Sequence, residues 1–173
     1  MQNKSIPQPL RRSILISSIL VMTGCGFKIR GPVTLPYKTI YISGGMTQDL
    51  KLYLTRLLKS GLNTVVVSKP DEAEIFLNIT ETPAKQILTY NQAGQITGYR
   101  LVEQVKFSVN HKDGDELIPQ SDIYLTRDMD FSIGAPAAGE NLEILLFTDM
   151  RQDVSAQILR RLGSLSNKKP ITP

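Results

Sequence analysis

Along residues 39–43 apolar and polar positions alternate, with Ile40 and Ile42 facing one way, until Gly44-Gly45 halts the pattern. A short strand is predicted there. From Thr47 the period lengthens: Leu50, Leu54, Leu57 and Leu58 share one helical face, while Lys51, Arg56 and Lys59 lie off it. Thr47 is suited to cap this helix, Asp49 to its positive N-terminal end and Gly61 to its termination. Val65-Val66-Val67 then reads as a buried strand, and strand–helix–strand in this order favours parallel pairing through a right-handed crossover.

Ile75, Leu77 and Ile79 share a face of a strand over residues 74–80, and a separate strand-like piece, 86–90, follows Pro83. Residues 91–98 are turn-rich, with Gly94 available for a positive φ. Over 99–109, Leu101, Val105, Phe107 and Val109 oppose Arg100, Gln104, Lys106 and Ser108, and Asp113-Gly114 marks a reversal. Over 123–133, Ile123, Leu125, Met129, Phe131 and Ile133 oppose Thr126, Asp128, Asp130 and Ser132. This is the pattern of an antiparallel meander with one apolar face. After an exposed loop at 134–139, a second helix places Leu142, Leu145, Leu146, Met150, Val154, Ile158 and Leu162 on its buried side, ending near Gly163. The expected fold is α+β, in the order β-α-β-β-β-β-α. Two helices would pack on one face of a mixed, mostly antiparallel sheet of four to five strands. The domain is placed at 37–163, with no core residue before Tyr37 and a frayed tail at 164–173.

The N-terminus has a different character. Lys4 and Arg11-Arg12 precede an apolar run at 14–22, broken by Ser17 and Ser18, and then come Thr23-Gly24-Cys25. A secretory signal is built this way, and the run is too short for a permanent span, which takes roughly 20 residues. Small residues directly before a cysteine resemble the lipobox of bacterial lipoproteins, with Met22 where leucine is usual. That resemblance implies cleavage between Gly24 and Cys25, a diacylglycerol on the Cys25 sulfur and an acyl chain on its new amine. It makes 1–24 a cleaved signal and 25–36 a lipidated linker. Gly26, in place of the aspartate that signals inner-membrane retention in many Gram-negative lipoproteins, implies anchoring at the periplasmic leaflet of the outer membrane.

This reading changes the charge picture. The chain carries a formal +4, but Lys4, Arg11 and Arg12 leave with the signal, and the rest of the 20 basic residues are nearly balanced by 16 acidic ones. The case for a nucleic-acid partner disappears with them. With one cysteine there is no intramolecular disulfide, so stability must come from the core. Catalytic material is sparse: His111, the only histidine, falls in the turn His111-Lys112-Asp113-Gly114. The pairs Asp71/Glu72 and Asp128/Asp130 fall in a loop and on a polar strand face. No phosphate-binding glycine loop and no zinc-spaced cluster occurs, so neither an enzyme nor a cofactor or metal is expected.

The heptapeptide Cys25-Gly26-Phe27-Lys28-Ile29-Arg30-Gly31 resembles the start of mature LptE proteins, the lipopolysaccharide-assembly lipoproteins. The Leu-rich helix with Arg56 and Gly61, the strand hairpins and the final amphipathic helix extend the resemblance over most of 25–165. It implies a non-enzymatic role: a one-to-one partner that sits in the lumen of the outer-membrane barrel LptD, aids its assembly and assists lipopolysaccharide delivery to the cell surface. A polar sheet face suits a hydrated lumen. Lipopolysaccharide contact in the family uses basic side chains, yet the 91–94 turn and the stretch 132–147 have none. Arg30, Arg100 and Lys106 are then the candidate contacts, with Asp130 a further candidate for the barrel. The alternative is an auxiliary lipoprotein of an inner-membrane lipid-transport system, with a lipid-anchored hydrolase more distant.

Overall fold

The computed structural model describes residues 35–132 and 134–167, so Gly24, Cys25, Arg30 and Ile133 lie outside the described residues. Strand β1 (Thr39–Gly45), helix α1 (Gln48–Gly61), strands β2 (Val65–Val67), β3 (Ile75–Tyr90), β4 (Ile96–His111) and β5 (Glu116–Asp130), and helix α2 (Pro136–Gly163) follow in the expected order. The sheet order is β2-β1-β3-β4-β5. β1 is parallel to β2 and β3, and β3, β4 and β5 form the antiparallel meander. The fold is α+β, as the periodicities imply.

Local chemistry accounts for the elements. Thr47 caps α1 by accepting from the Leu50 N–H at 3.4 Å, and Leu50, Leu54 and Leu58 are buried at successive turns. Gly61 does not terminate the helix by a left-handed turn; the positive φ falls two residues later, at Asn63 (φ 53°). Its role is proximity, since a Cβ there would meet Leu159 Cδ2 of α2 at 2.9 Å. Gly44 does not stop β1 either. It lies within the strand at φ 110°, pressed so close to β3 that a Cβ would sit 1.9 Å from the Ile79 carbonyl oxygen.

Three boundaries differ from expectation. Pro83 does not divide two strands: β3 runs unbroken for 16 residues. β1 ends opposite Thr80, so Pro83 falls where one edge of β3 has no neighbour among the described residues and a missing N–H is tolerated. β5 begins at Glu116 because an irregularity between its Ile118 and Ser121 pairings accommodates Pro119 on this edge strand. The expected loop at 134–139 is partly the first turn of α2, with Pro136 at its start and Gly139 buried against Phe131.

The core is two clusters. The larger joins Ile40, Ile42, Leu50, Leu54 and Leu58 of α1, Ile75, Leu77, Ile79, Val105, Phe107, Val154, Ile158 and Leu162, while Leu57, expected on the same helix face, is only partly buried. It also takes in Leu35 and Leu165, so the core reaches beyond Tyr37 at one end and into a 3-10 turn, Ser164–Asn167, at the other. The smaller comprises Leu101, Met129 and Met150 with Tyr99, Leu125, Leu146 and Phe147 around them, and contains no residue of α1.

Candidate functional site

Past the level of Thr80 the sheet narrows to β3, β4 and β5, and among the described residues only α2 covers it. This distal half carries most of the exposed large apolar side chains. Ile87, Leu88, Tyr90, Tyr124, Leu142, Ile144 and Leu145 are 38% to 66% exposed. Leu142 and Leu145, expected on the buried stripe of α2, are therefore on its open side, because α2 begins beyond the part of the sheet where α1 packs. Residues 81–90 of β3 also present a backbone edge with no neighbour among the described residues. Lys85 ties the two parts together by pairing with Glu143 of α2 while its ammonium lies 4.2 Å from the Tyr99 ring centroid.

The opposite, uncovered face of the sheet holds the basic candidates. Arg100 is engaged by its cross-strand neighbour Asp128 in a two-pronged pair at 2.8 and 2.9 Å. The hydrogen bonds from Arg100 hold the Asp128 carboxyl below its usual range. Lys106 is exposed and borders a shallow depression of about 200 Å³ with Gly44, Asn78, Thr80, Ser108 and Gln120. Asp130 is exposed at the end of β5. Arg100, Lys106 and Asp130 share a face, and of the three Lys106 alone lines this depression. His111 packs 5.7 Å from the Tyr37 ring, with Nδ1 3.0 Å from the Asp113 carboxylate.

The structure adds a group that the faces read from sequence passed over. Glu103 lies between Leu101 and Val105 on the covered face of β4 and is fully buried. Glu81 of β3 sits diagonally from it, and Arg151 of α2 bridges the pair. Arg151 Nε donates to Glu81 Oε1 at 2.8 Å and is 3.9 Å from Glu103 Oε2. Glu81 also accepts from the Thr47 N–H at 2.5 Å and the Thr47 hydroxyl at 3.0 Å, at the start of α1. Burial alone would raise the Glu81 carboxyl, but the Thr47 and Arg151 hydrogen bonds outweigh it and hold it low. Among the described residues, neither oxygen of Glu103 has a hydrogen-bond partner. Its carboxyl is pushed up to about 7, by burial first and by the Glu81 charge second. The signal in the sequence was parity: Glu103 breaks an apolar stripe at the place where two clusters meet.

Two helices on one face of a five-stranded mixed sheet, with apolar side chains exposed on its distal half, define an α+β domain of the two-layer class. Residues 37–162 match the model of the lipopolysaccharide-assembly family LptE, and the chain belongs to that family. Among solved structures, the solution structure of an uncharacterized lipoprotein B from Nitrosomonas europaea is 28% identical. It superposes with a TM-score of 0.69 over 83% of this chain and 94% of its own. A minor lipoprotein from Acinetobacter baumannii (23% identity, TM-score 0.61, 75% of this chain and 93% of its own) shares the fold. So does the rare lipoprotein B from Shewanella oneidensis (19%, 0.57, 73% and 95%). A search of curated proteins gave no match.

Proposed function

We propose that this chain is a non-enzymatic outer-membrane lipoprotein, cut between Gly24 and Cys25 and anchored by acyl chains on Cys25. It acts as plug and assembly partner of the barrel LptD in lipopolysaccharide delivery. Family membership supports the assembly role, and the names of the Nitrosomonas, Acinetobacter and Shewanella relatives support the lipoprotein reading. The observation that carries the partnership is the unfinished distal half. Its apolar side chains and the open edge of β3 have no cover among the described residues, as suits a surface completed by a partner. At about 3.3 Å per residue the 16-residue strands reach roughly 50 Å, longer than the apolar band of about 25 Å on an outer-membrane barrel. A domain of that length can traverse a barrel lumen.

Co-purification from solubilised outer membranes tests this directly. A tight one-to-one complex with LptD is expected, and depletion should lower the amount of correctly assembled barrel and admit large hydrophobic antibiotics. Association with inner-membrane transporter subunits, with barrel assembly unchanged on depletion, would instead support the auxiliary-lipoprotein reading. Cys25→Ala should leave unprocessed precursor; normal acylated mature protein by mass spectrometry would overturn the lipidation assignment.

A further inference from the structure

We propose that Glu103 and Glu81 share a proton at the boundary between the two cores, and that this proton latches the distal half of the domain to the proximal half. The inference is independent of which partner the domain meets. Its basis is a mismatch of charge in a closed place: two buried carboxylates face one guanidinium, and that guanidinium hydrogen-bonds to only one of them. Glu81 is further committed to Thr47, whereas neither oxygen of Glu103 has a partner among the described residues. An ionised carboxylate without partners is strongly disfavoured in such a place. A proton on Glu103 removes the surplus charge and supplies an O–H directed at the ionised Glu81.

Among the described residues, no other cation around the layer is free to replace it. From α1, Asp49 adds a further negative charge, 3.8 Å from Arg151 Nη1. On β5 the residue opposite Glu103 is Leu125, and Arg127 beyond it is engaged by Asp149 and Asp153 of α2. On β3, Lys85 is held by Glu143. The layer therefore links α1, β3, β4 and α2 through one protonated group. Next to it on the distal side lie Leu101 and Met150 of the small cluster; on the proximal side lie Val105 and Val154 of the large one.

The direction with pH follows from linkage. Glutamate in the unfolded chain titrates near 4.5 and Glu103 in the fold near 7. The unfolded or opened state therefore releases its proton first. The stabilisation is complete below about 4.5, declines as pH rises through this interval and is lost above about 7. Hydrogen exchange of the full chain at pH 6 and pH 8, corrected for intrinsic rates, tests the latch. Amides of residues 81–90, 96–103 and 139–150 should lose about tenfold in protection across this range, while Ile75, Leu77 and Phe107 keep theirs. Glu103→Gln should abolish the distal loss. Distal protection that does not change in the wild type, or that falls equally in Glu103→Gln, overturns the proposal. Should that variant misfold, a carbon-13 NMR titration of the wild-type Glu103 carboxyl decides: a midpoint near 7 supports the latch and one near 4.5 overturns it.

Discussion

Arg151 has a side chain only 13% exposed and holds the counter-charge for Glu81 and Glu103, so its removal should cost more than the loss of an ordinary surface ion pair. Arg151→Met leaves two buried carboxylates without their cation and is expected to destabilise by about 3–5 kcal/mol at pH 8, read from urea unfolding. A loss under about 1 kcal/mol would show that solvent reaches the layer. Gly44→Ala is a second residue-scale prediction. With φ at 110° and the Ile79 carbonyl oxygen 1.9 Å from the new Cβ, β1 and β3 must separate, and a Tm fall of several degrees is expected. At this scale the sequence was partly legible. Gly94 and Gly114 take the positive φ that their turns suggest (77° and 98°). Glu103 escaped because its partners, Glu81 and Arg151, are 22 and 48 residues away, and only strand register and helix placement bring them to one level.

The first helix was readable nearly in full, because cap, dipole and leucine spacing all point to the same element and one packing face. Leu54, at 1% exposure, sits at the centre of that face. Leu54→Asp should unfold the domain or lower its stability by more than about 3 kcal/mol, as an unpaired buried charge does; a wild-type melting curve would contradict the helix face. The second helix shows where periodicity stops being informative. Its stripe runs from Leu142 to Leu162, but burial requires something to lie beneath, and α1 covers only the proximal half. Replacing Leu142 and Leu145 together by Ser should therefore change the stability of the isolated domain by only about 0.5 kcal/mol in thermal melts, while weakening partner capture. β3 was misread for a related reason. Proline forbids a central strand but not an edge, and the short length of β1 makes that part of β3 an edge.

For the whole molecule, strand order and layer arrangement followed from element order, whereas the asymmetry between a well-covered proximal half and an open distal half did not. That asymmetry arises from strand lengths: β1 has 7 residues and β3 and β4 have 16, so the sheet outruns the helix that should cover it. It also sharpens where a barrel should be met. Photo-crosslinkers placed one at a time at Tyr90, Tyr124 and Leu145, all exposed on the distal half, should capture LptD in cells. Lys106 and Asp130 on the uncovered sheet face should do so as well, being exposed and unencumbered by the Asp128 pairing that occupies Arg100. A crosslinker at exposed Ser166, beside the C-terminal end of α2, should give little product. If instead Ser166 captures the barrel while Tyr90 and Leu145 do not, the proximal end is the docking surface. The apolar distal residues would then need another partner. A crosslinker at Arg100 separates the faces further: replacing that side chain frees Asp128, so capture there reports proximity of the barrel to the open sheet face without relying on the cation itself.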